Sequence, residues 1–191
     1  CPDKRCLAPY PCKNLDADHS DYLALLRKLR AIPGIKKVFV RSGIRYDYML
    51  EDKNNEFFAE LVKYHISGQL KVAPEHTSDK VLYQMRKPSF QLFYEFKRIF
   101  DRINKEENLK QQIIPYFISS HPGCQEEDMA ELAVITKDLD FHLEQVQDFT
   151  PTPMTVSTEA WYTGYDPYTL EPVFCARTQR EKLAQRQFFF W

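Results

Sequence analysis

The chain has 191 residues, enough for one compact domain with a sizeable core. Hydrophobic residues make up 43% and charged residues 28%, an ordinary balance for a globular protein, while aromatics reach 14% with 14 Phe and 11 Tyr. A net charge of −1, from 26 Lys+Arg against 27 Asp+Glu, excludes a strong phosphate-tracking field and gives no indication of nucleic acid.

No apolar run reaches the length of a membrane span, so no membrane association is expected. The chain opens on Cys1 with no signal peptide, and that start suggests a piece excised from a longer polypeptide. The five cysteines (Cys1, Cys6, Cys12, Cys124 and Cys175) are odd in number, which argues against a secreted disulfide framework and for a reducing cytoplasm.

Hydrophobic periodicity predicts helices alternating with strands. Tyr22, Leu25, Leu26, Leu29 and Ile32 recur at helical spacing, with Asp18 or Ser20 as caps. Pro33-Gly34 ends that helix, and Lys37–Val40 reads as a short strand. A second helix starts near Asn54 and places Phe57, Phe58, Leu61, Val62 and His65 on one face, and a strand over 69–73 follows Gly68. Thr77 or Ser78 caps a short helix with Val81, Leu82 and Met85, and Ser89 opens a longer one with Phe93, Phe96, Phe100 and Ile103 inward. The third strand covers 113–119. Glu126, Glu127 and Asp128 then open a helix with Met129, Leu132, Ala133, Thr136 and Leu139. A fourth strand spans 145–149, followed by a loop-rich stretch with Pro151, Pro153, Gly164, Pro167 and Pro172 and a final helix from about Thr178. The expected division is a Cys-rich segment (1–17), an α/β body (18–150) and a C-terminal extension (151–191). Strands alternating with helices imply a parallel sheet with right-handed crossovers, and four strands are too few to close a barrel of about eight.

In parallel α/β folds, chemistry gathers at the carboxyl ends of the strands. The non-repetitive polar motifs fall there: Arg41-Ser42-Gly43-Ile44-Arg45-Tyr46-Asp47, Pro74-Glu75-His76, Ser119-Ser120-His121-Pro122-Gly123, and Gln147-Asp148 before Pro151-Thr152-Pro153. Taken singly each has a bland explanation: an Arg45–Asp47 loop ion pair, Glu75 as a helix N-terminal acid, and a structural His-Pro-Gly turn. Their location at one end of the strands is what marks a functional face. His19, His65 and His142 read as solvated or packing residues, and Cys124 and Cys175 as structural. Cys1, Cys6 and Cys12, at x4 and x5 spacing, suggest thiolate ligation of zinc or an auxiliary iron–sulfur cluster, but fit no common zinc module.

Several strings resemble the YgiQ-type radical S-adenosylmethionine (SAM) proteins: Cys12-Lys13-Asn14-Leu15-Asp16, 37–47, Leu70-Lys71-Val72-Ala73-Pro74-Glu75-His76, Ser119–Gly123 and 146–153. The pattern Glu75-x-x-Ser78-Asp79-x-Val81-Leu82 and the His-Pro-Gly turn are also similar to MiaB-type methylthiotransferases and the Elongator catalytic subunit. The resemblance implies an α/β fold of the partial TIM-like (β/α) barrel type, with about four of six βα units in this chain. It also implies a [4Fe–4S] cluster, held by Cys-x3-Cys-x2-Cys, that reductively cleaves SAM to a 5′-deoxyadenosyl radical. No such motif occurs here, so the cluster is expected on upstream polypeptide together with the missing strands, and this chain is expected to be inactive alone. By the same resemblance Ser42, Arg45, Glu75, Ser119, His121 and Gly123 border SAM, and Gln147 and Asp148 border the substrate. Two alternatives stand beside it: a non-catalytic RNA-binding or assembly module, supported only by Lys36, Lys37, Arg41 and Arg45, and a small Cys-ligated metal-binding domain. A half barrel would also expose a strand edge, so dimerisation, or cover by the aromatic tail 188–191, is expected.

Overall fold

A computed structural model describes residues 6–8, 10–141, 143 and 146–189. In chain order the elements are α1 (Ser20–Arg30), α2 (Tyr46–Met49), α3 (Glu56–Tyr64), β1 (Gln69–Glu75), α4 (Asp79–Gln84), α5 (Gln91–Glu106), β2 (Gln112–Ser119), α6 (Glu126–Asp138), β3 (Val146–Asp148), α7 (Val156–Thr163) and α8 (Gln179–Arg186). The three strands form an open sheet in the order β1-β2-β3. β2 and β3 run parallel, with Phe117, Ile118 and Ser119 opposite Val146, Gln147 and Asp148. No helix among the described residues is long and apolar enough to cross a membrane.

The chain divides into two compact units, one holding the residues up to Ala73 with Gln91–Ile114, the other Pro74–Phe90 with the residues from Pro115 on. β1 and β2 each begin in the first unit and end in the second.

The core of the first unit follows from helical spacing on two helices. Phe93, Phe96, Phe100 and Ile103 of α5 and Phe57, Phe58, Leu61 and Val62 of α3 are buried. Phe58 stacks on Phe96 with ring centroids 5.1 Å apart, and Tyr46 from α2 meets Phe93 edge-on at 5.6 Å. Leu70 and Val72 of β1 complete this layer.

Three expectations are corrected in this unit. On α1 the helix is where the spacing predicts, but Leu23 and Leu26 are buried while Tyr22, Leu25, Leu29 and Ile32 are exposed. Asp18 accepts from the Ser20 N–H at 2.9 Å, but the N-cap residue itself is His19, whose ring nitrogen lies 3.0 Å from Asp52. Lys37–Val40 forms no strand ladder: Val40 N–H donates to the His65 carbonyl, and the neighbouring sheet contact is a single parallel bridge from Ile44 to Val72. His65 is buried, with Nδ1 2.8 Å from the Val38 carbonyl oxygen, a packing role as expected.

In the second unit Val81 and Leu82 of α4, Phe117 of β2, and Met129, Leu132 and Thr136 of α6 are buried. α6 opens on a capping box between Gln125 and Asp128, and α8 on one between Thr178 and Glu181. The stretch after β3, read from sequence as loop, contains α7, capped by Thr155, whose hydroxyl oxygen accepts from Thr158 N–H at 3.3 Å, and closed by Gly164 at φ +81°. Of the tail, Gln187–Phe189 forms a 3-10 turn against α6, and residues 190 and 191 lie outside the described residues.

Candidate functional site

The carboxyl ends of all three strands (Glu75, Ser119 and Asp148) belong to the second unit. Within that unit an open cleft of about 390 Å³ is lined by Glu75, Lys87, His121, Gln147, Asp148 and Phe149, with Met85, Ile118, Thr150, Thr152, Thr155 and Ser157 around them. That volume lies in the range of small-molecule sites.

Each polar group has a defined anchor. Glu75 sits at φ +70°, a left-handed conformation uncommon for a side-chain-bearing residue, where β1 turns into α4. The Lys87 ammonium lies 3.3 Å from its Oε1. Ser119 is fully buried on β2, and its hydroxyl donates to Asp148 Oδ1 at 2.8 Å across the β2–β3 pair; the Arg186 guanidinium lies 3.3 Å from the same oxygen. Gln147 is exposed on β3.

His121 is buried and its orientation is fixed at both nitrogens. Nδ1 lies 2.9 Å from the Pro122 carbonyl, which can only accept, so Nδ1 carries the proton. Nε2, 2.9 Å from Ser157 Oγ, therefore accepts from that hydroxyl. Burial lowers its pKa to about 4, which keeps the ring neutral, and the Phe149 ring meets it edge-on at 5.0 Å.

The turn carrying His121 is held from the C-terminal segment. The Ser120 N–H donates to Gln185 Oε1 at 2.7 Å, and Gln185 Nε2 donates to the Cys124 carbonyl at 2.7 Å. Gly123 N–H donates to the Phe174 carbonyl at 2.8 Å. Gly123 has φ +86°, and a Cβ there would lie 3.0 Å from Gln84 Cγ, so only glycine fits without displacement. Sequence reasoning missed Gln185, Ser157, Lys87 and Arg186: nothing in the pattern of a polar helix announces which glutamine will be buried.

Behind the turn lies a second buried pair. His76 Nδ1 accepts from the N–H groups of Thr77 and Ser78, both at 3.0 Å, so its proton sits on Nε2, 3.5 Å from Cys124 Sγ. Burial lowers the His76 pKa to about 4, and burial pushes the Cys124 thiol up to about 12. Cys124 is thus a protonated, packed thiol rather than a nucleophile, in keeping with the structural role expected of it.

Ser42 and Arg45 lie in the first unit. Ser42 is exposed, and Arg45 makes a bidentate pair with buried Asp47 at 2.9 and 2.6 Å. Cys12 N–H donates to the Cys6 carbonyl at 2.7 Å, and Cys1 lies outside the described residues. Among the described residues no group of three or more His, Cys, Asp or Glu is arranged to hold a metal ion.

Residues 144–191 match the family described as a domain of unknown function, DUF3362. The chain is 66% identical, over its whole length, to the UPF0313 protein of Bacteroides thetaiotaomicron, and covers 32% of it. It is 55% identical to the UPF0313 protein of Porphyromonas gingivalis, with 100% of this chain and 31% of the relative covered. A UPF0313 protein of Clostridium perfringens is 55% identical over 97% of this chain and 28% of its own length. The chain thus spans about a third of the length of the curated relatives it matches.

Proposed function

We propose that this chain is the SAM- and substrate-facing portion of a longer radical SAM enzyme, folded as part of a partial (β/α) barrel. The observation that carries the reading is the cleft at the carboxyl ends of β1, β2 and β3, lined by Glu75, His121, Gln147 and Asp148. It is supported by the motif resemblance of the same residues and by relatives about three times the length of this chain.

The donor set suits SAM. The ligand is a zwitterion with a sulfonium, so it needs carboxylate and hydrogen-bonding partners beside an ammonium. Glu75 and Lys87 offer that pair of charges, and Phe149 offers an apolar ring. Glu75 would hold the cationic part of the ligand, Lys87 its carboxylate, and the Ser119–Asp148 pair would fix the substrate side. When bound beside a reduced cluster, SAM supplies a radical for hydrogen abstraction, so the protein's own task is orientation and exclusion of water, not acid–base chemistry. The described residues do not fit the cluster itself, because they offer no thiolate set. In this reading the cluster belongs to polypeptide outside this chain, and no step is derived through it.

The test is anaerobic reconstitution of the longer protein with iron and sulfide, followed by incubation with SAM and reductant. The expected results are cluster absorbance and 5′-deoxyadenosine formation that falls at least about tenfold in Glu75→Gln, a loss of about 1.4 kcal/mol. A protein that binds no iron and releases no 5′-deoxyadenosine would refute the reading.

A further inference from the structure

The described part of the Cys-rich segment is pinned by its main chain. Cys12 N–H donates to the Cys6 carbonyl at 2.7 Å, and the Cys12 carbonyl accepts from Leu15 N–H at 2.8 Å, so Cys12 is fixed on both sides. The Tyr48 hydroxyl donates to the Asp16 carbonyl at 2.5 Å, and Ala8 and Ala17 are buried, which seats the segment on the first unit. With standard bond lengths, the 2.7 Å contact holds the Cα atoms of Cys6 and Cys12 at most about 6.6 Å apart. Disulfides span Cα separations of about 4.4–6.8 Å, so the pair lies within bridging range. Cys6 is exposed and Cys12 half-buried, both as free thiols. The other described cysteines are withdrawn: Cys124 is fully buried, and burial raises the thiol of Cys175, whose Sγ lies 3.5 Å from the Ala160 carbonyl. Two thiols also fall short of the four ligands of a structural zinc site, and among the described residues no further His, Cys, Asp or Glu joins them.

We infer that Cys6 and Cys12 are a reversible dithiol–disulfide pair that closes by exchange with a low-molecular-weight disulfide such as oxidised glutathione. Exposed Cys6 reacts first: its thiolate forms a mixed disulfide with one glutathione sulfur and expels the other as a thiolate. The Cys12 thiolate then attacks the Cys6 sulfur, which forms the Cys6–Cys12 bond and releases the second glutathione. The two thiol protons pass to the two released thiolates, the protein pair gives up two electrons, and glutathione disulfide takes them. The main-chain contact keeps the pair in range in the folded chain, whereas an unfolded chain has first to close the loop. In a reducing compartment such a bond is transient and senses redox state rather than holding the fold. The inference is independent of the SAM reading, which uses no residue of this segment.

The test takes the 191-residue chain, with its metal content measured, through glutathione buffers of set ratio, blocks the remaining thiols with iodoacetamide and digests with trypsin. Cleavage after Lys4, Arg5 and Lys13 puts Cys6 and Cys12 on one peptide and Cys1 on another. The proposed bond then appears as an unalkylated 6–13 peptide, lighter than its dithiol form by two hydrogens. That peptide should dominate in native oxidising buffer, revert with dithiothreitol, and form with an equilibrium constant at least about tenfold larger than in urea. Cys12→Ser should stop the reaction at a mixed disulfide on Cys6, and Cys6→Ser should leave half-buried Cys12 at least about tenfold slower to react. Linkage to Cys1, two glutathione adducts on the 6–13 peptide, equal constants in native buffer and urea, or a stoichiometric metal shielding both thiols would each overturn the inference. None of these outcomes bears on the SAM reading, and a longer protein that yields no 5′-deoxyadenosine leaves the thiol pair intact.

Discussion

Replacing Gln185 by leucine removes the clamp on the His121 turn while nearly conserving volume. Gln185 is 1% exposed and makes two bonds of 2.7 Å, accepting from the Ser120 N–H and donating to the Cys124 carbonyl. Leucine satisfies neither, so two buried main-chain groups are orphaned at about 1–3 kcal/mol each. A combined loss of about 4 kcal/mol corresponds to a midpoint drop of roughly 8–16 °C, at about 2–4 °C per kcal/mol for a chain of this size. Calorimetry or near-UV circular dichroism would record it. Leu183→Ala on the same helix is the control, since Leu183 is 51% exposed and its truncation should cost no more than about 0.5 kcal/mol. If Gln185→Leu lowers the midpoint by less than about 2 °C, or by no more than the control, the turn is held by something else and the clamp argument fails.

Gly123→Ala should cost more than Gly164→Ala. Both glycines have positive φ, a backbone penalty of about 1–2 kcal/mol, but a new Cβ at 123 lies 3.0 Å from Gln84 Cγ while at 164 nothing comes nearer than 3.7 Å. Urea midpoints of the two variants measure the difference, and equal losses would remove the steric part of the argument. Stability should also fall in mild acid. His76 and His121 hold pKa values of about 4 when folded, against about 6.5 when unfolded, so above pH 6.5 both states carry the same protons and the full stability is present. Between about pH 6.5 and pH 4 the unfolded chain takes up protons that the buried rings refuse, at a cost of up to about 3 kcal/mol per ring. A urea midpoint that stays flat from pH 7 to pH 5 would contradict this.

Elements whose burial is repeated along the chain were legible in the sequence: α5 with Phe93, Phe96, Phe100 and Ile103, α3, and β2 with its alternating burial all form where the periodicity puts them. On α1 the period was right and the face was not, because spacing identifies a helix but not which side meets a neighbour. There Leu23 and Leu26 pack, and the regular stripe of Tyr22, Leu25, Leu29 and Ile32 faces outward. α7 was hidden by Pro151 and Pro153 just ahead of it, although Thr155 and Gly164 mark its two ends. The motifs ending β1, β2 and β3 were visible as polar interruptions after apolar runs. Their anchors were not: Ser120 is held by a side chain 65 positions away and His121 by one 36 positions away, separations that leave no local pattern. Lys37–Val40 shows the opposite failure: this β-branched stretch bonds to His65, through Val40 N–H and the Val38 carbonyl, rather than to a neighbouring strand, and so makes no ladder.

The most direct test of the cleft as a SAM site is to titrate the isotope-labelled chain with S-adenosylhomocysteine and map the amide shifts. Saturable shifts grouped on Glu75, the 119–124 turn and Gln147–Thr152, and weakened in Glu75→Gln, are the predicted result. Saturation with shifts elsewhere, or no shifts at millimolar ligand, would contradict it.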